Sequence, residues 1–351
     1  MRRPAAVLLV PLLLLAACGG DDDPGPEVGS TDSTVSDVPT VTGAFGEAPT
    51  VELPESGPGA ELVVEVLEEG DGAPVTDGDV LVADYHAQKW SPAGTPEDEA
   101  TDDGSTGDET IEDEAAAGAV PEGEPFDTTF EGNTPGTFPM VADSILVGMY
   151  EGLVGQTLGS RVLVVIPPEQ GFGETGQPQL GIEPDDSLVF VFDLVDAFGA
   201  DAAATGTPVE AATGPDLPQV ADGDDGPTIT IPSDTPPPTE LVTEVLVEGD
   251  GEVTEAGQFL VTQYRGVLWK DGSEFDSSWS RDQPTGFSIG TGGVIPGWDT
   301  GLVGQTVGSR VLLVVPPAEG YGEAGNPPTI AGDDTLVFVV DILGAYGPSQ
   351  G

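Results

Sequence analysis

The sequence predicts an α+β protein made of two copies of one module, each a curved antiparallel β-sheet wrapped around one short helix. Three observations predict it. The chain repeats itself, its apolar residues fall in short branched runs between turn residues, and the better-marked copy has a single short stretch of helical character. Gly152–Pro168 (GLVGQTLGSRVLVVIPP) and Gly301–Pro317 (GLVGQTVGSRVLLVVPP) agree at fourteen of seventeen positions at an offset of 149, which marks a repeated structural unit. Leu62–Gly72 matches Leu241–Gly251 at an offset of 179, so about 30 extra residues lie inside the first copy, between Trp90 and Phe126. The modules are placed at 60–198 and 240–347.

From the N-terminus, Arg2 and Arg3 precede an apolar run from Val7 to Ala17, broken only by Pro11. That run is shorter than the roughly 20 residues a spanning helix needs and fits a secretory leader over residues 1–17. It ends in Leu15-Ala16-Ala17-Cys18, which resembles the bacterial lipobox, where the Cys thiol is acylated and becomes the first residue of the mature protein. Cys18 is the only cysteine of the chain, so neither an intramolecular disulfide nor a cysteine metal cluster is possible. An ordinary cleavable signal is the competing reading. The expected location is the extracytoplasmic face of the cell membrane, reached through the lipid anchor alone. Residues 18–59, rich in Gly, Pro, Ser, Thr and Asp, read as a disordered acidic tether.

Within the first module, the insert 91–124 carries twelve acidic residues and no basic one, a self-repelling solvated loop. No stretch has the spacing of a calcium-binding hand loop, and no metal or cofactor is expected. Residues 199–239, ending in Pro236-Pro237-Pro238, read as a semi-rigid Pro/Ala/Gly-rich linker. In the second module, Phe259–Trp269, Arg310–Val315 and Thr335–Leu343 read as buried strands, with a turn at Lys270–Ser273. Gly297–Gly304 alone is helical in character, and its three glycines limit it to one or two turns.

Of 351 residues, 63 are acidic and 8 basic, a formal charge of −55. Such a chain repels phosphate backbones, which excludes nucleic-acid binding. Gly (51) and Pro (34) make about a quarter of it, the composition of compact modules separated by solvated segments.

The stretch Tyr264–Ser278 (YRGVLWKDGSEFDSS) resembles the signature of the FKBP-type peptidyl-prolyl isomerases. So do Val294-Ile-Pro-Gly-Trp298, Val311–Pro317, Gly320-Tyr-Gly322 and Leu336-Val-Phe338, in the family's order over about 100 residues. The resemblance implies a half-barrel around a short helix and a proline pocket that binds tacrolimus-like macrolides. By the same resemblance Trp298 matches the indole of the pocket floor, and Tyr264, Phe275 and Phe338 its aromatic walls. Val294 and Ile295 match the segment whose backbone binds the ligand, and Ile330 belongs to the substrate-binding set. Asp276 matches a buried acid near the twisting carbonyl, Arg281 its basic partner, and Tyr321 a phenol that hydrogen-bonds a ligand carbonyl. Thr285 and Thr329 depart from the family, which usually has an aromatic and often an aliphatic residue there. As isolated residues, Trp298, Tyr264 and Phe338 also read as ordinary core aromatics; the ordered set of matches favours a pocket.

The first module keeps Tyr85, Phe126, Asp127 and Phe190 but has Met149 in place of Trp298, Phe172 in place of Tyr321 and Gly132 in place of Arg281. It is therefore expected to be a weak isomerase or a module that only binds clients. His86 follows Tyr85 on a strand and faces away from the pocket. The carboxylate pairs lie in Gly/Pro-rich loops and read as solvation rather than as a glycosidase couple, and no Ser-His-Asp set is present. The expected function is X-Pro isomerisation during folding of exported proteins, by a monomer acting on proline-containing clients. A non-enzymatic chaperone or adaptor that holds proline-containing segments is the alternative.

Overall fold

A computed structural model of the chain describes residues 38–92, 123–132, 134–210, 213–223 and 225–347. The expectations for the leader, for Cys18 and for nearly all of the acidic insert fall outside the described residues.

Branched apolar runs form strands here, and the turns between them carry Gly, Pro and Asp. The first module contains β1 (Thr40–Thr42), β2 (Thr50–Glu52), β3 (Val63–Glu68), β4 (Val80–Trp90), β5 (Pro125–Thr128), β6 (Gly136–Pro139), α1 (Val147–Leu153), β7 (Arg161–Ile166) and β8 (Ser187–Phe198). The second contains β9 (Thr207–Pro208), β10 (Gln219–Ala221), β11 (Thr228–Thr230), β12 (Val242–Glu248), β13 (Phe259–Leu268), β14 (Glu274–Ser277), β15 (Thr285–Ser288), α2 (Pro296–Gly301), β16 (Arg310–Val315) and β17 (Leu336–Tyr346).

The two main sheets share one topology apart from β9, an added edge strand of the second. The first runs β3-β7-β8-β4-β5 with β6 also on β4; the second runs β9-β12-β16-β17-β13-β14 with β15 also on β13. Pairing is antiparallel throughout, as in β13 against β17 from Phe259↔Tyr346 to Leu268↔Leu336. Each sheet holds a short helix, the α+β architecture expected from the repeat. Helix α2 starts at Pro296, whose missing N–H costs nothing in a first turn. A Cβ at Gly297 would stand 2.6 Å from Val315 Cγ1, so the glycine is what lets the helix sit against β16.

Side chains alternate along the central strands, yet both faces are apolar. Val311, Leu313 and Val315 of β16 join Phe338 and Val340 of β17 in the core under α2. Leu312 and Val314 join Val337 and Val339 on the opposite face. An apolar outer face needs a cover, since leaving a Val or Leu exposed forfeits roughly 1.5–3 kcal/mol.

Hairpins supply that cover, and they correct two expectations. Residues 18–59 were expected to be a disordered tether, of which 18–37 lie outside the described residues, and 199–239 a linker. Instead β1 pairs with β2, Val41 opposite Val51, and Val38, Val41, Val51 and Leu53 pack on Trp90, Leu163, Val165, Val189 and Val191. In the second module β10 pairs with β11, Val220 opposite Ile229, and Leu217, Val220, Ile229 and Ile231 pack on the outer face of β16 and β17. Their Thr, Val and Ile favour strands, but a two-stranded hairpin this short is marginal alone, and burial on the sheet is what orders it.

An Arg–Asp pair lies beneath each hairpin. Arg161 and Asp193 are 1% and 0% exposed and joined by two bonds, Nε–Oδ1 at 2.6 Å and Nη2–Oδ2 at 2.7 Å. The guanidinium also donates to the carbonyls of Gly43 (2.7 Å) and Glu47 (2.6 Å) in the hairpin turn, and Gly46 N–H donates to Asp193 (2.6 Å). In the second module Arg310 pairs with Asp341 at 2.6 and 2.8 Å and reaches Asp222 of the second hairpin at 2.6 Å.

The chain leaving β8 stays attached. Ala204 N–H donates to Asp341 (2.9 Å), and Thr205 and Gly206 N–H both donate to Gly308 O (3.1 Å). Gln263 donates to Ala200 O at 2.8 Å, and the Tyr346 hydroxyl to Asp196 at 3.0 Å.

Candidate functional site

The inner face of the second sheet opens into a cavity of about 540 Å³. Its floor is the indole of Trp298, placed by the first turn of α2 and only 5% exposed. Three rings meet it edge-on: Tyr264 from β13 at 5.2 Å between centroids, Phe287 from β15 at 4.7 Å and Phe338 from β17 at 5.1 Å. Phe275 of β14 stands against Phe338 at 5.4 Å. Such edge-to-face pairs each add about 0.5–1.5 kcal/mol beyond burial, so the walls are rigid. Gly266 lies between Tyr264 and Leu268 on the same face of β13, where a Cβ would stand 2.6 Å from the Phe275 ring.

Val294, Ile295 and Pro296 form the rim leading into α2, and Tyr321, 39% exposed, closes the opposite side. Asp299 in the first turn of α2 accepts from Gly290 N–H (2.8 Å) and Gly292 N–H (2.7 Å) and so fixes the loop that delivers Val294. The indole N–H of Trp298 is buried without a partner among the described residues.

One polar cluster borders this apolar space. The Tyr264 hydroxyl donates to one oxygen of Asp276, and Arg281 donates to the other and, at 3.0 Å, to the Tyr264 oxygen. The guanidinium also lies 5.6 Å from the Tyr264 ring centre. The expectation of a buried acid is corrected here, because the Asp276 side chain is 42% and Arg281 44% exposed. Asp276 sits at the short edge strand β14, where water reaches it from outside the sheet. Burial, followed by the hydrogen bond to Asp276 and its charge, pushes the Tyr264 phenol up to about 12 from its ordinary value near 10, with Arg281 opposing. A phenol raised in the folded state holds a stability complete below about pH 10 and lost as pH rises through about 12. Tyr264 should thus add nothing to the pH dependence of the denaturation midpoint up to about pH 10 and should add to its fall from there toward about 12, so Tyr264→Phe should shrink that fall. An equal fall in both proteins would contradict this assignment.

Of the positions named from sequence, Tyr264, Phe275, Asp276, Val294, Ile295, Trp298, Tyr321 and Phe338 line one cavity. Arg281 is tied to it through Asp276. Ile330, 4% exposed, belongs to the core and floors a smaller adjoining cavity instead. Thr285 lines the main cavity, as do Phe287 and Gly293, which sequence reasoning missed. Phe287 had a usable signal, being two residues beyond Thr285 and so on the same face of a strand.

The first module brings its own set together differently. Tyr85 donates to Asp127 at 2.5 Å, but Gly132 leaves that acid without the arginine. Ala87 stands where the second module has Gly266, and Phe126 and Phe190 lie 6.0 Å apart against 5.4 Å for Phe275 and Phe338. Met149 and Phe190 are buried in the core, and Phe172 packs against it. Tyr150 takes the place of Asp299, donating to Asp77 at 3.0 Å instead of gripping a loop.

The profile of a family described as "FKBP-type peptidyl-prolyl cis-trans isomerase" matches residues 113–195 and 251–343. An FK506-binding protein of Streptomyces anulatus is 44% identical over 108 residues, 30% of this chain and 87% of that relative. The mouse peptidyl-prolyl cis-trans isomerase FKBP2 is 53% identical over 87 residues, 25% of this chain and 61% of its own length. Mouse FKBP10 is 31% identical over 235 residues, which is 66% of this chain and 34% of the relative.

Proposed function

The chain belongs to the FKBP-type peptidyl-prolyl cis-trans isomerase family, and on that premise we propose that it accelerates rotation about X-Pro bonds of exported proteins, chiefly in the pocket of the second module. The observation that carries this reading is the floor of Trp298 boxed by three edge-on rings beside the Tyr264–Asp276–Arg281 cluster.

Rotation breaks amide resonance and meets a barrier of about 18–20 kcal/mol. The ground states of an X-Pro bond differ by only about 0.5–1 kcal/mol, and uncatalysed exchange takes tens to hundreds of seconds. A twisted amide has lost charge separation and needs less hydration than a planar one. A dry aromatic box that holds the prolyl ring on Trp298 therefore favours the twisted state, and binding that is stronger in that state lowers the barrier. The Tyr321 hydroxyl at the rim is placed to hold a substrate carbonyl while the bond turns. No nucleophile or proton transfer is required.

The first module serves as a weaker or purely client-holding site, because its acid lacks the arginine and a methionine replaces the indole. Exchange on an X-Pro peptide, measured with the full chain bearing Trp298→Ala or Met149→Ala, tests this division. Equal losses from the two substitutions would refute it.

The protein is anchored outside the membrane by a lipid on Cys18, a reading supported by Leu15-Ala16-Ala17-Cys18 at the end of the apolar leader. Cys18→Ala or globomycin should move nearly all of the protein from the membrane to the soluble fraction. Unchanged membrane retention would sink this part of the proposal.

A further inference from the structure

Beside the aromatic pocket lies a second cavity of about 190 Å³. Phe275, Asp276 and Tyr321 line both, so the two spaces adjoin along these three side chains. The lining differs in kind. The main cavity is walled by rings, whereas the smaller one draws polar atoms from Asp276, Tyr321, Asn326 and Thr329 above an apolar base of Ile330.

Its loop is held in place. Asn326 N–H donates to Ile330 O at 2.8 Å and Ile330 N–H to Asn326 O at 3.0 Å, and the Ile330 side chain is anchored in the core. Among the described residues, these bonds use the backbone of Asn326 and leave its side-chain amide and the Thr329 hydroxyl open to solvent. Asp276 already accepts from Tyr264 and Arg281, but an ionised carboxylate has about four lone-pair sites.

We infer that this side cavity receives the side chain of a residue flanking the substrate proline and selects a hydrogen-bonding one, such as Ser, Thr, Asn or Gln, over an aliphatic one. The inference rests on the proposed isomerase reading and specifies its substrate class. A prolyl ring on Trp298 brings its neighbour to the wall of Phe275, Asp276 and Tyr321. A Ser or Asn side chain entering there replaces water as the partner of the Asn326 amide and the Thr329 hydroxyl. A Leu or Val side chain displaces the same water and leaves those groups unpaired, the asymmetry by which polar sites reject apolar analogues. Thr329 is the specificity-determining position, standing where an aliphatic residue would make the cavity apolar. The site is open to water, so the discrimination is on the order of tenfold, far below that of an enclosed polar pocket.

The test uses the full chain and proline peptides varied separately on either side of the proline with Ser, Asn, Leu and Val. At one of the two positions kcat/KM should be about tenfold higher for Ser or Asn than for Leu or Val. Asn326→Leu combined with Thr329→Val should abolish or reverse that order with an unchanged melting temperature, both side chains being exposed. Equal or better use of Leu by the unsubstituted protein, or a polar preference that survives the double substitution, overturns the inference and leaves the isomerase reading intact. If no peptide is isomerised faster, the isomerase reading fails. Calorimetric affinities of the same peptides then still decide the preference, and equal affinity for Ser and Leu peptides overturns it.

Discussion

Trp298→Ala should lower kcat/KM for X-Pro exchange by about thirtyfold while Trp298→Phe keeps most of it. The indole floors the cavity and offers a prolyl ring a flat face, with Tyr264, Phe287 and Phe338 holding it edge-on at about 5 Å. Three ring methylenes that no longer leave water forfeit roughly 2 kcal/mol, and each 1.36 kcal/mol is about tenfold in rate. The loss belongs in kcat/KM because, in the proposed binding mode, the contact is made by the reacting proline itself. Truncating a buried Trp also costs about 3–5 kcal/mol of stability, so the rate is to be read below the melting transition of the variant. The phenylalanine form separates the two effects. Full activity in the alanine form, folded by circular dichroism, would place the chemistry elsewhere.

The largest stability effect is expected at Arg161. Arg161→Ala leaves Asp193, which is 0% exposed, with no basic partner, and removes the donors to Gly43 and Glu47 that hold the first hairpin. Breaking a buried pair from one side costs about 3–5 kcal/mol, so the transition of the first module should fall by about 10 °C or more. Replacing both partners, as Arg161→Met with Asp193→Leu, should recover most of the loss, since no buried charge is then orphaned. Arg310→Ala should cost less, because Arg310 is itself 11% exposed and one of its partners, Asp222, is 92% exposed. Calorimetry of the full chain resolves this if the modules melt separately, and an unchanged first transition for Arg161→Ala would show that water replaces the guanidinium.

Sequence periodicity carries most of the fold because the central strands are long and strongly apolar. Phe259–Trp269 was expected as a strand and Phe259–Leu268 is one. The helix expected within Gly297–Gly304 runs from Pro296 to Gly301. The hairpins escaped for a physical reason. Strands of three residues such as Thr-Val-Thr and Thr-Ile-Thr present one apolar side chain each, below what any local pattern reveals. Their order comes from the sheet beneath them. A signal did exist in that sheet, because a run such as Arg310-Val-Leu-Leu-Val-Val is apolar on both faces and thus implies a cover on each. At the site, residue types were readable but solvent access was not. Asp276 was expected to be buried, and only its place on a short edge strand shows why it is half-exposed. Phe287 and Asp299 were missed because neither stands in a marked motif. One becomes a wall and the other a loop clamp only when β15 and α2 are brought together.

The attachment of residues 199–209 to the second sheet bears on how this chain can be dissected. A cut at Glu240, the start of the second repeat by sequence, would discard β9, the hairpin that covers Leu312 and Val314, and the N–H donors that reach Asp341 and Gly308. The truncated piece would expose a bare sheet edge at β12 and an apolar outer face, the combination that invites strand-to-strand aggregation. A fragment that begins at Ala200 keeps all three. Limited proteolysis would accordingly spare much of the Gly- and Pro-rich stretch whose composition marks it as the place to cut.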